Sequence, residues 1–409
     1  MSLPLSSIRV IDATNSIAGP FAAMILGDLG AEVIKIEPPG RGDVSRTWGP
    51  GAYGNMSTSY LACNRNKSSM AIDLTMQKGR QVLHELVKTA DVVLTNTLPG
   101  KQKKLGLDYE SCARENEKLI YCAVSAYGLA GPMQNEPGYD ALMQARTGLM
   151  SITGAAGPAT PPVRIASSII DMGTSFWSVI GVLAAIIERN NTGRGKRVDA
   201  SLYETAIAWS PQQIMTYFVT GETPRKYGSG VEMIAPYEAY ASADGFVLIA
   251  ANTETFWLSL CHALGLKHLL SDDRYSNNQS RVKNRTTLSE EIASCVRQNT
   301  SEYWRQRLSE AGVPCESVAS IADVVRDEQI NALGMIRKTQ PPSGESGPGS
   351  ADFLDIPSPF LLDGKRTPVR QLPPQLGEHT RELLERLGYS DEAIEEMMTQ
   401  GIVTMNVTA

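Results

Sequence analysis

Histidine and cysteine are scarce in this chain of 409 residues, with four of the first and six of the second. The cysteines (Cys63, Cys112, Cys122, Cys261, Cys295 and Cys315) are scattered and form no C-x-x-C pair. That argues against a thiolate metal site or a disulfide framework, and for reduced thiols in the cytoplasm. His84, His262, His268 and His379 stand at no metal-ligand spacing, so no metal is expected. G-x-S-x-G, H-E-x-x-H and G-x-x-x-x-G-K-S/T are all missing, which removes the serine-hydrolase, zincin and P-loop readings. No run reaches the roughly 20 apolar residues of a spanning helix. The N-terminus has no basic stretch leading into an apolar core. Neither a membrane nor export is therefore expected, and triplets such as Asn66-Lys67-Ser68 carry no weight as glycosylation sites. Positive charge is not in excess either: 38 Lys and Arg face 44 Asp and Glu, a net charge of −6. That argues against a general nucleic-acid or polybasic membrane binder, while leaving room for a local anion site.

What remains is an ordinary globular composition, 42% hydrophobic and 20% charged, in a chain long enough for two domains. Ile8–Asp12 reads as a strand. Ala18-Gly19-Pro20 opens a helix with proline in its first turn, ending near Gly30, and Ala31–Ile36 is the next strand. This is a βαβ unit of the doubly wound kind. A helix near Lys78–Thr89 and strands at Asp91–Leu94 and Leu119–Val124 repeat the pattern, so an α/β fold with a mostly parallel sheet follows. After Val198–Tyr203 a helix is expected to run to about Val219, with a linker at Gly221–Gly230. Tyr237–Ser242 and Phe246–Ala250 around Ala243-Asp244-Gly245 form a hairpin signal. Helical patterns reach Gly312, and a strand region follows it. Pro341–Gly349 is a Pro/Gly/Ser loop. The tail carries a helix over Gly377–Gly388 and another capped by Ser390. The expected domains are 1–226, a Rossmann-like large domain; 227–330, a smaller α+β domain; and 331–409, a segment returning to the large domain.

Gly49–Gly54 matches G-x-G-x-x-G but follows Arg46-Thr47-Trp48 rather than a strand, and Pro50 disturbs the turn, so it reads as a loop. Thr14–Phe21 lies at the carboxyl end of a strand and at a helix N-terminus. It suits an anion or ligand, although a quiet turn fits equally. Asp171 is alone in an uncharged stretch from Ile165 to Ile187. Burying a bare carboxylate is expensive, so it must be paired, cap a helix or be used. It reads either as the N-cap of a helix beginning at Met172 or as a nucleophile, partly desolvated yet kept ionised by the helix dipole.

Several stretches together resemble family III CoA-transferases of the CaiB/BaiF type. They are Leu5–Asp12 with Ala18-Gly19-Pro20, Gly30–Gly40, Asn64–Lys67 with Ile72-Asp73-Leu74, and Ala90–Asn96 with Pro99-Gly100. Leu105-Gly106, Gly138-Tyr139-Asp140, Ile170-Asp171-Met172, Thr192–Gly195 with Val198-Asp199, and Leu376–Thr380 complete the set. The resemblance implies an acyl-CoA:carboxylate CoA-transferase using coenzyme A as its thioester substrate, with Asp171 as nucleophile and Tyr139 and Asp140 beside it. CoA contacts carry over to Ser16, Ile17, Ala18, Ile72, Asn96, Thr97 and Lys104. Family members often have arginine at the last of these, and lysine keeps the charge but loses the bidentate fork. Gly228-Ser229-Gly230 is a much shortened counterpart of a glycine-rich shielding loop. Related α-methylacyl-CoA racemases use a histidine where this chain has Tyr139, which disfavours a racemase or epimerase. A non-catalytic CoA-binding subunit is the third alternative. The family fold implies an interlocked homodimer whose partners are an acyl-CoA donor and a small carboxylate acceptor.

Overall fold

A computed structural model describes residues 3–157, 159–339 and 353–405. The expected loop at 341–349 lies outside the described residues. The chain divides into a larger unit, Met1–Thr147, Ile165–Pro211 and Asn331–Ala409, and a smaller one, Gly148–Arg164 and Gln212–Ile330.

The larger unit is built on a seven-stranded sheet. Its strands are β1 (Arg9–Ala13), β2 (Glu32–Glu37), β3 (Ser68–Ile72), β4 (Val92–Thr95), β5 (Ile120–Ser125), β6 (Arg197–Ser201) and a terminal Val403–Thr404. Their order is terminal strand, β3, β2, β1, β4, β5, β6. All neighbours are parallel except the terminal strand, which runs antiparallel to β3. The expected α/β fold with a mostly parallel sheet is therefore observed. Alternation along β1 makes the two faces: Val10 joins one hydrophobic cluster and Ile11 the other, both fully buried. Helices cover both faces, as parallel sheets require.

The helix α1 (Ala18–Asp28) is buried nearly all round, including Ala22, Met24 and Leu26. Each large apolar side chain removed from water there contributes about 1.5–3 kcal/mol. Next come α2 (Gln77–Lys88), α3 (Pro99–Leu105), α4 (Asp140–Arg146) and α5 (Ile169–Thr192), then α6 (Leu202–Ala208). The helix expected to run on to Val219 is broken: α6 stops before Ser210, and α7 begins at Pro211 and ends at Thr220. Proline disfavours helical backbone in the residue before it and starts a helix well, so the break falls there.

The smaller unit carries the expected hairpin, β7 (Tyr237–Ala241) and β8 (Phe246–Ala250), extended by β9 (Cys315–Ser317) into an antiparallel sheet. Trp257, Leu260, Leu288, Ile292, Trp304 and Leu308 form its core with Val247 and Ile249.

Candidate functional site

The strand order reverses at β1, which has β2 on one side and β4 on the other. A crevice opens past the carboxyl ends of such strands. Asn15 and Asn96, just beyond β1 and β4, bridge it. The Asn15 N–H donates to Asn96 Oδ1 at 3.1 Å, and Asn96 Nδ2 donates to the Asn15 carbonyl at 2.7 Å. A cavity of about 160 Å³ sits here, lined by Asn15, Ser16, Ala18, Asn96, Thr97, Ser125, Tyr139 and Asp171 among others. Whole drug-sized ligands occupy about 300–1,000 Å³, so this cavity suits only the reacting end of a larger one.

Of the residues singled out from sequence, the cavity brings together Ser16, Ala18, Asn96, Thr97, Tyr139 and Asp171, with Ile17 inside the same turn. Lys104 is exposed on α3, and Ile72 is 1% exposed within the core at the end of β3; neither lines the cavity. Tyr139 stands at the start of α4 and is 62% exposed.

Asp171 is not the N-cap that its isolation suggested. The helix begins two residues earlier, with Ser168 at the cap position, and Asp171 falls in the first turn. The capping carboxylate is Asp140, 30 residues upstream of Ile170: its Oδ2 accepts the Ile170 N–H at 2.7 Å and the Asp171 N–H at 3.3 Å. Gln144 Nε2 donates to the other Asp140 oxygen at 2.6 Å, and Gln144 Oε1 accepts the Ile165 N–H at 2.8 Å. With the helix start served by Asp140, Asp171 is left to the cavity. Burial, and then the nearby Asp140 charge, push its carboxyl up to about 7. Burial and like charge thus act against ionisation of Asp171, in the opposite sense to the dipole of the helix whose first turn it occupies.

The turn between β1 and α1 rests on a buried ionic network. Lys35 Nζ lies 2.8 Å from Asp43 Oδ2 and 3.7 Å from Asp12 Oδ2, and Lys67 Nζ lies 2.8 Å from Asp12 Oδ2. Burial opposes the charge on Asp12, yet Lys35 and Lys67 hold its carboxyl down to about 2. Burial also brings Lys67 down to about 8. Asp43 Oδ1 accepts the Ser16 N–H at 3.0 Å and Lys35 donates to the Thr14 carbonyl at 3.0 Å, so the network grips the turn itself. Ser16 has φ 72°, a left-handed backbone uncommon outside glycine, held by these partners. Gly19 is required for close approach, since a Cβ there would lie 2.4 Å from Thr14 Cβ.

Sequence reading missed Ser125, Gln102 and Glu136 in the cavity wall, and Asp43 behind the turn. Ser125 ends a parallel strand at the carboxyl edge, a signal that would have found it. Gln102 and Glu136 carry no local signal.

The chain matches the model of CoA-transferase family III over residues 5–380. It is 33% identical over 407 residues to a succinyl-CoA:glutarate CoA-transferase of Mus musculus, covering 99% of this chain and 91% of that protein. It is 35% identical to a succinate–glutarate CoA-transferase of Agrobacterium fabrum (97% and 98% covered). A solved CaiB/BaiF family protein from Brucella suis superposes with a TM-score of 0.84 at 32% identity, covering 95% of this chain and 100% of that one. The chain belongs to CoA-transferase family III, and its reaction class is CoA transfer, with CoA thioesters as substrates.

Proposed function

We propose that this member of CoA-transferase family III moves CoA between a thioester donor and a free carboxylic acid through a covalent intermediate on Asp171. The observation that carries the reading is Asp171 itself, a largely desolvated carboxylate in the wall of the cavity at the sheet's switch point. The Asp171 carboxylate attacks the thioester carbonyl, expels CoA thiolate and forms a mixed anhydride. The thiolate attacks the aspartyl carbonyl, releases the donor acid and leaves an aspartyl-CoA thioester. The acceptor carboxylate attacks that thioester, and the thiolate set free takes the acceptor's acyl group from the second anhydride. Asp171 returns as carboxylate and no proton is consumed. A carboxyl with its pKa near 7 is a stronger nucleophile once ionised than an ordinary aspartate, and each step replaces one hard exchange by an easier one.

Ser16, Ile17, Ala18, Asn96 and Thr97 are assigned to CoA, and the exposed Lys104 to its anionic end; Ile72, buried in the core, is kept only on the family resemblance. The first N–H groups of α1 have no intrahelical partner and suit an anionic group of the ligand. Tyr139 and Asp140 are assigned to the catalytic group, Asp140 by holding the start of α5. None of the four histidines lines the cavity, which disfavours the two-base chemistry of a racemase. The acceptor is taken to be a short dicarboxylic acid, following the names of the curated relatives. All six cysteines are free, in keeping with a cytoplasmic enzyme.

A second copy is proposed as partner. On α5, Met172, Phe176, Ile180 and Ile187 are 38%, 44%, 55% and 65% exposed and share one face, the reason this helix is apolar enough to resemble a membrane span. In a homodimer, interlocked as in the family fold, that face is covered. The test of the assignment is a matrix of acyl-CoA donors against carboxylic acids read by mass spectrometry. Exchange with C4 and C5 dicarboxylates is expected; a protein that binds CoA and exchanges nothing across the panel would be a non-catalytic subunit.

A further inference from the structure

The turn from Thr14 to Pro20 is fastened from several elements. Asn96 bonds Asn15 on both sides, Lys35 holds the Thr14 carbonyl, Asp43 holds the Ser16 N–H, and Lys67 Nζ donates to the Pro20 carbonyl at 2.8 Å. A further bond comes from α5. Ser175, fully buried, donates to the Ala18 carbonyl at 2.6 Å. It stands four residues past Asp171, on the same helix face. A serine in mid-helix ordinarily bonds the carbonyl four residues back. That option is present at 2.9 Å, on the Asp171 carbonyl, yet the Ala18 oxygen is closer. Ser178, on the same helix and equally buried, donates to the Thr174 carbonyl at 2.8 Å and lies against the Cys122 thiol, away from the turn. Elsewhere α1 and α5 meet through apolar packing such as the edge contact of Phe21 on Phe176, centroids 6.2 Å apart. Such packing is non-directional.

We propose that Ser175 is a positioning residue for CoA transfer, its hydroxyl fixing the turn that holds the thioester against the helix that carries Asp171. The inference rests on the assignment of Asp171 and the Ser16–Ala18 turn made above. Attack needs the reacting atoms about 3–3.5 Å apart, so a single directional bond between the two carriers has leverage on the rate. The turn keeps its other four fastenings when Ser175 is changed, so CoA affinity is expected to survive.

The test compares Ser175→Ala, Ser178→Ala and Asp171→Asn in the full-length enzyme. Kinetics with one acyl-CoA and acid pair are combined with CoA binding by calorimetry. Ser175→Ala should lower kcat about tenfold with the CoA Kd within about twofold, the scale of one lost hydrogen bond and a small misalignment. Ser178→Ala should keep its kcat, which controls for the loss of a buried hydroxyl. Should Ser175→Ala fold poorly, Ser175→Cys, of similar size and a weak donor, should give an intermediate kcat. A Ser175→Ala kcat equal to that of wild type or of Ser178→Ala, or a loss in Kd alone, overturns the proposal while leaving the nucleophile assignment intact. An active Asp171→Asn overturns both.

Discussion

Asp171 and Asp140 are two carboxylates at one helix start with opposite surroundings. Asp140 accepts two backbone N–H groups and a glutamine amide, whereas the Asp171 carboxyl is raised by burial and by Asp140. The proposed attack needs Asp171 ionised, so kcat/KM is expected to rise with pH through an acid limb near 7, where an ordinary aspartate would put it near 4. Asp140→Asn keeps an oxygen for the cap and removes the charge, so a pH–rate profile should show the limb moving to lower pH. Stability carries the opposite sign. A carboxyl whose folded pKa lies above its unfolded value favours the fold below about 4, and that contribution is lost as pH rises through about 7. Asp171→Asn should therefore raise the Tm relative to wild type at pH 8.5 and leave it nearly unchanged at pH 4, as thermal melts at the two pH values would register. The sequence marked Asp171 through its isolation among apolar residues. It did not reveal the cap, because the capping group lies 31 residues away along the chain and only folding brings it in.

At the scale of elements, α5 carries the proposed nucleophile Asp171, the proposed positioning residue Ser175 and the packing around both. Gly173, two residues beyond Asp171, lets Trp209 close on the helix: a Cβ there would meet Trp209 Cζ2 at 2.6 Å and Thr205 Cγ2 at 3.0 Å. Gly173→Val is expected to destabilise the protein by about 1–3 kcal/mol through overpacking, seen in denaturant unfolding, and to cut kcat as the first turn shifts. Elements with local signals were legible. The first βαβ unit was outlined by a buried apolar run, a proline at the helix start and glycine after it, and the 237–250 hairpin by Asp244-Gly245. The division between α6 and α7 was not recognised because helical periodicity continues across it, although Ser210-Pro211 states the break. The expected start of α5 was late because Ile169 and Ile170 continue the apolar texture of the stretch and hide the helix boundary.

For the whole molecule, the apolar face of α5 is a feature that a single chain does not explain. A homodimer of the 44.3 kDa chain is expected in light scattering, and Ile180→Glu with Ile187→Glu should lower the measured mass toward one chain or precipitate the protein. The sheet order and the switch-point crevice follow from alternating β and α elements. The buried Asp12, Lys35, Asp43 and Lys67 network does not, since its members are dispersed among ordinary charged residues and meet only in the folded core. Covalent catalysis at Asp171 is open to direct chemical trapping. The most direct measurement is to mix the enzyme with an acyl-CoA, quench with hydroxylamine during turnover and map the peptides by mass spectrometry. A hydroxamate on Asp171 is the predicted result; an active enzyme with Asp171 unmodified, or with the label on another residue, would contradict it.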